Sequence, residues 1–208
     1  MTAPPLVFVI DDDASVRSSL KFLLSTVGLQ TETFDSADSF LHKKRPDVPS
    51  CVVLDVRLPG VSGIDFQREL TARNISIPIV FLTGHGDIPM SVRAMKAGAV
   101  EFLTKPFRDQ DLLDAVRVAL DRDRTRREQE TGLADIRRRF DSLTSREQEV
   151  LSMVMNGMLN KQIAAELGTA ESTVKVQRSR AMEKMQAESL AHLIKMMQKL
   201  QLPSQKAS

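Results

Sequence analysis

Three consecutive carboxylates follow the first apolar run of the chain. The run LVFVI covers residues 6–10, and Asp11, Asp12 and Asp13 come directly after it. Carboxylates at this spacing repel one another, so at least one would stay protonated unless a cation lay between them. Hard divalent ions such as Mg2+ prefer oxygen ligands of this kind. The stretch therefore predicts either a metal site at the end of a strand or a solvated acidic turn.

Polar side chains with complementary chemistry close three later apolar runs. Asp55 ends CVVLD, Thr83 ends IPIVFLT, and Lys105 follows AVEFLT. Phosphoryl transfer needs such a set, because a metal ion and a lysine neutralise the phosphoryl oxygens while a hydroxyl donates to another. If these run ends meet in space, they predict a site for a phosphoryl group.

The elements that would position these residues alternate between strand and helix up to about residue 120. Short apolar runs are separated by amphipathic stretches, which is the pattern of βαβ units around a parallel sheet. The runs VFVI, CVVL and IVFL are continuously apolar, as expected for strands buried on both faces. We therefore predict five strands and five helices, the last helix starting at Asp109. In such a sheet the carboxyl ends of the strands form one crevice.

The chain changes character from Leu143 onward, where helical periodicity continues without strand-like alternation. Thr144 and Glu147 predict a capping box before an apolar stripe, and Gly157 and Gly168 are expected to follow the first two helices. Two short helices, a glycine-containing turn and a basic third helix predict a helix-turn-helix. The third helix carries three cations suited to DNA phosphates and base edges, namely Lys175, Arg178 and Arg180.

Composition places the chain among ordinary globular proteins. Its 208 residues are 42% hydrophobic and 27% charged, and the net charge of +2 favours no partner by itself. The first apolar run is too short for a signal peptide or a membrane span, so neither is expected. The single Cys51 excludes an internal disulfide and is expected in the core. His42 and His85 are expected at the surface, because neither has a second His or Cys at ligand spacing.

The first half resembles the receiver domain of two-component response regulators, on the five separated positions quoted above. The resemblance implies a flavodoxin-like (βα)5 domain in which Asp55 accepts a phosphoryl group from the histidine of a sensor kinase. It also implies that Thr83 and Lys105 hold the phosphoryl oxygens. The Lys105–Pro106 peptide is expected to be cis, and Phe102 is expected to rotate inward when Thr83 shifts.

The same resemblance implies one Mg2+ ion for each receiver domain. Asp12, Asp55 and the backbone carbonyl of Arg57 would bind it directly, and Asp11 would assist through water. Asp13 receives no ligand role and is interpreted as a surface charge or as the residue that starts a helix.

The second half resembles the effector domain of LuxR/FixJ/NarL-type regulators, through the strings LTSREQEVL, NKQIAAELG and STVKVQR. The resemblance implies two sets of DNA contacts. The residues expected to face bases are Lys175, Val176 and Ser179. The residues expected to contact phosphates are Lys161, Thr173, Arg178 and Lys184. The sequence departs from the family at Ala170, so that Thr169 or Ser172 would start the recognition helix, and at Gln177, which replaces a frequent His.

Two charged or apolar segments allow more than one interpretation. A stripe in the last helix could belong to the core or to a dimer seam, and it consists of Leu190, Leu193, Ile194 and Met197. The segment between the halves alternates in charge and predicts a solvated helix that continues the fifth helix. The three arginines at 137–139 are interpreted as part of that solvated face rather than as DNA contacts.

The predicted organisation is a receiver domain over residues 1–120, a charged helical linker over 121–142 and a LuxR-type helix-turn-helix domain over 143–208. The chain is predicted to be a cytoplasmic response regulator, and not an enzyme beyond promoting its own phosphorylation and dephosphorylation. Once phosphorylated it would form a homodimer, bind double-stranded promoter DNA and activate transcription with RNA polymerase. The expected dimer face contains Arg93, Met95, Val100 and Asp111.

Two other functions stay open from the sequence. The string IDDDAS also fits the start of haloacid-dehalogenase-type phosphatases, with Asp11 as nucleophile and Asp13 as acid, although this leaves Asp55 and the helix-turn-helix unexplained. A DNA-binding regulator whose receiver is never phosphorylated is the other possibility. A fully active Asp55→Asn variant would support it.

Overall fold

The computed structural model describes residues 4–84 and 88–201. It divides the chain into two compact units, Met1–Arg127 and Glu128–Ser208. His85, which was expected at the surface, lies outside the described residues.

The first unit is a five-stranded parallel sheet with helices between the strands. The strand order is β2-β1-β3-β4-β5, which is the flavodoxin-like order. Its strands are β1 (Leu6–Ile10), β2 (Gln30–Phe34), β3 (Ser50–Asp55), β4 (Ile79–Thr83) and β5 (Glu101–Thr104). Its helices are α1 (Ala14–Thr26), α2 (Ala37–His42), α3 (Gly63–Ala72), α4 (Ile88–Lys96) and α5 (Asp109–Asp141), the last of which runs past the end of the unit.

Hydrophobic burial on both faces holds this sheet between its helices. Every residue of β1, β3 and β4 is buried, which confirms the prediction from their continuous apolar runs. Successive side chains point to opposite faces, so Phe8 and Phe81 pack in one layer while Val9 and Leu82 pack in the other. Cys51 is fully buried in the second layer, as expected.

The charged segment that follows residue 120 is helical, as predicted, but it is not solvated throughout. Asp123 is fully buried, and its Oδ2 accepts a hydrogen bond of 2.9 Å from the Ser50 N–H at the start of β3. Arg126 and Arg127 donate to the same carboxylate, each at 2.6 Å. The interpretation of the whole segment as a solvated face is therefore wrong at Asp123, because its carboxylate is buried against the backbone at the start of the central strand β3.

The second unit is entirely helical among its described residues. It contains the end of α5 and then α6 (Ser145–Met155), α7 (Asn160–Glu166), α8 (Glu171–Met185) and α9 (Leu190–Gln201). The predicted capping box of Thr144 and Glu147 is confirmed at the start of α6. Gly157 and Gly168 follow α6 and α7 with φ of 81° and 61°, a conformation that glycine adopts without steric cost.

The last helix packs into the core of this unit. Leu193 is fully buried and Met197 is 8% exposed, in one cluster with Leu151, Ala181 and Met185. Of the two interpretations of the α9 stripe, core packing is the one that these buried residues support.

The recognition helix starts differently from the prediction. Ala170 occupies the N-cap position of α8 and offers no side-chain hydrogen bond. The expectation that Thr169 or Ser172 would start this helix is wrong. The helix begins instead at Glu171, whose carboxylate suits the positive end of the helix dipole.

Candidate functional site

The carboxyl ends of four neighbouring strands bring the predicted polar residues of the first unit to one edge. In the parallel register, Ile10 lies opposite Leu54, Asp55 opposite Leu82, and Thr83 opposite Thr104. The residues that follow β1 and β5 therefore lie at the same level of the sheet as Asp55 and Thr83.

Lys105 joins two of the carboxylates at this edge. Its Nζ lies 2.7 Å from Asp11 Oδ2 and 2.6 Å from Asp55 Oδ2. Asp11 and Asp55 are both buried, whereas about a quarter of the lysine side chain is exposed. The remaining carboxylate oxygens accept backbone N–H groups: Asp55 Oδ1 from Arg57 at 2.8 Å and Asp11 Oδ1 from Asp13 at 2.9 Å. Both carboxylates are thus held by fixed donors.

Burial and pairing act in opposite directions on the acidity of these groups. Burial raises the pKa of Asp11 above its ordinary value, and the hydrogen bond from Lys105 offsets this only in part. Burial lowers the pKa of Lys105, but the hydrogen bonds to Asp11 and Asp55 together with the negative charges of these acids outweigh it, so the net pKa is raised. The lysine therefore stays charged between two acids.

The residues predicted to bind magnesium differ in their surroundings. Asp12 and Arg57 are exposed beside the buried Asp11 and Asp55. Within residues 4–84 and 88–201, no group of three or more His, Cys, Asp or Glu side chains is arranged to hold a metal ion. Asp11 and Asp55 nevertheless converge on one cation, the Lys105 ammonium, and carboxylate oxygens are the donors that Mg2+ prefers. The chemical type of these oxygen donors therefore fits a magnesium ion.

Thr83 and Lys105 are connected through the backbone. The Lys105 N–H donates to the Thr83 carbonyl at 2.6 Å, and the side chain of Thr83 is fully buried. The Lys105–Pro106 peptide is cis, as the resemblance implied. Phe102 is half-buried on β5 and packs against Phe81, with ring centroids 6.0 Å apart. The rotation of Phe102 stays a prediction.

Two residues that sequence reasoning missed support this edge. A Cβ added at Gly63, the first residue of α3, would lie 2.6 Å from the Asp55 carbonyl oxygen. Arg17 on α1 donates to the carbonyls of Asp11 and Asp12. Glycine has a low helix propensity, so a glycine at the start of the predicted helix GIDFQRELTAR is a signal in the sequence that Gly63 has a packing reason. For Arg17 the available signal is its place within the first turns after the acidic loop.

Most of the residues predicted to contact DNA lie on the surface of α8. Thr173, Lys175, Val176 and Ser179 are exposed, and Lys161 is exposed on α7. Lys175 pairs with Glu171 at 3.2 Å, one helical turn earlier. The guanidinium of the half-buried Arg178 donates to Asn160 Oδ1 at 3.2 Å, which connects α8 to α7.

Lys184, a predicted phosphate contact, forms an ion pair within the second unit, and Gln177, where the sequence departs from the family, is half-buried. Lys184 Nζ donates to Glu147 Oε2 at 2.6 Å, and the Glu147 carboxylate also accepts the Thr144 N–H at 2.8 Å. These hydrogen bonds, that of Lys184 first, lower the pKa of Glu147. Gln177 is half-buried, and its Oε1 has no hydrogen-bond partner among the described residues.

The other surface predictions fall as follows. Arg93 and Met95 are exposed on α4, Val100 is half-buried, and Asp111 is paired with Arg108 at 2.6 Å. Of the arginines at 137–139, the second and third both pair with Asp135. Within the part of the chain that the structure describes, none of the helices has the length and apolarity needed to cross a membrane.

A parallel sheet with a lysine between two acids at its carboxyl edge, followed by a helix-turn-helix, defines a signalling regulator with a receiver and a DNA-binding domain. Residues 7–117 match the family described as response regulator receiver domain, and residues 141–197 match the LuxR family of bacterial regulatory proteins. The chain belongs to the two-component response regulators of the FixJ type, which regulate transcription in a phosphorylation-dependent manner. The predicted family and fold class are confirmed.

Relatives match over nearly the whole chain. Nodulation protein W of Bradyrhizobium diazoefficiens is 57% identical over 195 residues, which are 94% of this chain and 86% of that protein. The structure of the response regulator StyR is similar with a TM-score of 0.87 and 53% identity, covering 95% of this chain and all of that one. Full-length FixJ of B. japonicum has a TM-score of 0.56 and 39% identity, covering 96% and 98%.

Family membership also settles the general kind of partner and chemistry. A receiver domain implies a histidine kinase as partner, and a LuxR-type domain implies binding to DNA. Receiver domains in general bind Mg2+ for phosphorylation. The chain is accordingly a DNA-binding transcription regulator and not an enzyme of the usual kind.

Proposed function

We propose that Asp55 is the residue that accepts the phosphoryl group. The observation that carries this proposal is the position of its carboxylate, at the end of a buried strand and 2.6 Å from the Lys105 ammonium. A nucleophile beside a fixed cation can take up an anionic group, because the cation balances the added charge. Asp11 and Asp12 supply further oxygen donors at the same edge of the sheet.

The transfer uses this chain's residues as follows. A carboxylate oxygen of Asp55 attacks the phosphorus of the partner kinase's phosphohistidine. The new O–P bond forms as the P–N bond breaks, and the electron pair of that bond returns to the imidazole nitrogen. Lys105 then binds one phosphoryl oxygen, and the Thr83 hydroxyl donates to another. In this way the receiver promotes its own phosphorylation, and attack of water on the same phosphorus later frees the Asp55 carboxylate and releases inorganic phosphate.

The residues proposed to hold the magnesium ion are Asp12, Asp55 and the Arg57 carbonyl, with Asp11 acting through water. When bound, one ion per receiver domain supplies positive charge next to the phosphoryl oxygens. The chain's own contribution is to present these oxygens at one edge and to keep Lys105 charged beside them.

The output proposed for the phosphorylated chain is a homodimer bound to promoter DNA. We take residues 1–120 as the receiver domain, 121–142 as the linker and 143–208 as the DNA-binding domain. The face of α4, β5 and α5 would pair with its copy, with Phe102 rotating inward beside Thr83. The bound dimer would activate transcription by RNA polymerase in the cytoplasm.

The two sets of DNA contacts keep separate roles in this proposal. Lys175, Val176 and Ser179 are the residues that the resemblance assigns to base edges, and their side chains are exposed on α8. The residues that contact phosphates are the other four, namely Lys161, Thr173, Arg178 and Lys184. Arg178 is half-buried and the other three are exposed, and Arg178 and Lys184 also bond to side chains of the second unit.

The test is intact-protein mass spectrometry after incubation with acetyl phosphate, with and without Mg2+. The wild-type chain should gain one phosphoryl group in a Mg2+-dependent manner, and Asp55→Asn should gain none. Asp65→Asn, an exposed carboxylate on α3, is the matched control and should be labelled like wild type. Sedimentation velocity on the same samples should show a dimer in the labelled wild type and in labelled Asp65→Asn, and no dimer in Asp55→Asn.

Two outcomes would contradict this function. Labelling of Asp55→Asn at the wild-type level would show that a residue other than Asp55 accepts the phosphoryl group. Full DNA binding and transcription by Asp55→Asn would support a regulator that does not depend on phosphorylation.

The phosphatase alternative is disfavoured by Asp13, whose carboxylate caps α1 and accepts the Ser15 N–H at 2.7 Å. That hydrogen bond lowers the pKa of Asp13, which makes it a poor general acid.

A further inference from the structure

Arg17 on α1 reaches back to the loop that carries the acidic residues. Its Nη1 donates to the Asp11 carbonyl at 2.7 Å and to the Asp12 carbonyl at 2.9 Å. Both carbonyls lie outside α1, which begins at Ala14. One guanidinium nitrogen therefore connects two successive peptide groups of the loop. Hydrogen bonds from a charged donor are stronger than neutral ones, so this contact restrains the loop backbone.

The three acids at the sheet edge are held in different ways. Asp11 and Asp55 share the Lys105 ammonium. Asp12 is exposed, and its side chain makes no hydrogen bond or ion pair with the residues that the structure describes. The direction of its carboxylate therefore depends on the backbone of the loop, and it is the Asp12 carbonyl that Arg17 holds.

The charge of Arg17 makes this placement informative. A cation near a site for another cation weakens binding there by Coulomb repulsion. The charge alone thus predicts that removal of Arg17 would strengthen Mg2+ binding. The geometry predicts the opposite, because the loop would lose the contact that directs Asp12. The sign of the change separates the two effects.

We propose that Arg17 is a positioning residue that holds the backbone of Asp11 and Asp12 so that the Asp12 carboxylate shares a cation with Asp55. This inference rests on the proposed function, in which these acids hold Mg2+. Arg17 touches neither the phosphoryl group nor the metal ion and acts through Asp12. Residues that hold a metal ligand without touching the metal commonly change the metal affinity by about 10- to 100-fold when they are removed.

The test measures Mg2+ affinity on the full, unphosphorylated chain by isothermal titration calorimetry with magnesium chloride. Arg17→Ala should bind Mg2+ on the order of 10-fold more weakly than wild type. Arg17→Lys should fall between them, because an ammonium can still donate to one carbonyl. In acetyl phosphate labelling, the half-saturating Mg2+ concentration should rise by the same factor while the rate at saturating Mg2+ stays close to wild type.

Arg68→Ala is the matched control, since it removes the same charge from an exposed ion pair with Asp65 on α3. It should bind Mg2+ like wild type. Arg17→Ala that binds Mg2+ as tightly as wild type, or more tightly, would overturn the inference. If Arg17→Ala does not fold, wild-type affinity in Arg17→Lys overturns it instead.

The two proposals can fail separately in this experiment. A wild-type chain that binds Mg2+ but is not labelled at Asp55 contradicts the proposed acceptor and leaves the role of Arg17 standing. Labelled wild type with unaffected Arg17 variants contradicts the role of Arg17 alone. A wild-type chain that binds no Mg2+ contradicts both.

Discussion

Lys105 and Asp55 form an ion pair with 2.6 Å between Nζ and Oδ2, although they stand 50 residues apart in the sequence. The same ammonium neutralises Asp11, so one cation balances two buried carboxylates. Removal of one member of a buried ion pair is costly, because it leaves uncompensated charge in a region of low polarity. The pair therefore contributes to the stability of the receiver unit as well as to its proposed chemistry.

Lys105→Met should lower the free energy of unfolding of the receiver unit by about 2 kcal/mol at neutral pH. Breaking a fully buried pair costs more than this, and the partial exposure of the lysine reduces the effect through solvent screening. Urea denaturation followed by circular dichroism measures the change. Lys96→Met, at the exposed end of α4, is the control and should unfold like wild type. A Lys105→Met chain as stable as wild type would show that the pair contributes nothing.

Gly63→Ala should destabilise the receiver unit by about 1–3 kcal/mol, because the new Cβ overlaps the Asp55 carbonyl oxygen. Gly132→Ala provides a control with the opposite sign. Gly132 lies inside α5 with open space around it, so alanine there should stabilise the helix by about 0.5–1 kcal/mol. Thermal unfolding of both variants tests the pair. Equal effects at the two glycines would contradict the close approach at Gly63.

Lys184→Ala should lower the free energy of unfolding of the second unit. Its effect on the affinity for a specific DNA site should be the smaller of the two. The ion pair with the buried Glu147 should contribute about 1 kcal/mol, discounted for the exposure of the lysine. Lys175→Ala is the matched control, since its ion pair with Glu171 is exposed. Lys175→Ala should leave the free energy of unfolding unchanged and should weaken binding to operator duplexes that are selected from a random pool.

The contact between Lys184 and Glu147 also predicts a pH dependence. The pKa of Glu147 in the folded chain lies below its ordinary value of 4.5, so the folded state binds its proton more weakly than the unfolded state. The stabilisation is therefore present above pH 4.5 and is lost as the pH falls through the lowered pKa. In acid, the free energy of unfolding of Lys184→Ala should accordingly approach that of the wild-type chain. A difference that persists there would indicate lost packing rather than lost charge.

Asp123→Ala should lower the free energy of unfolding of the receiver unit by about 3 kcal/mol, because the buried carboxylate has two arginines and a backbone N–H as partners. Hydrogen exchange at the Ser50 amide should become faster in this variant. Asp121→Ala removes an exposed ion pair with Arg124 and should cost less than about 0.5 kcal/mol. Slow exchange at Ser50 in Asp123→Ala would contradict the assigned contact.

Local pattern predicted the elements and the edge at which the chemistry lies. The apolar runs that became β1, β3 and β4 are recognisable because strands buried on both faces need apolar side chains at every position. The capping box of Thr144 and Glu147 involves residues three apart, so sequence spacing alone identifies it. The same reasoning failed at Ala170, where the helix starts without a side-chain cap.

The sequence by itself determined the fold class, the order of elements and which polar residues follow which strands, since these depend on neighbours within a few positions. Tertiary structure alone decided which distant groups meet. Lys105 reaches Asp11 across 94 residues, Asp123 reaches Ser50 across 73, and Lys184 reaches Glu147 across 37. Charge patterns give no distance between such groups, because a lysine or an aspartate looks equally solvated in sequence until packing buries it beside its partner.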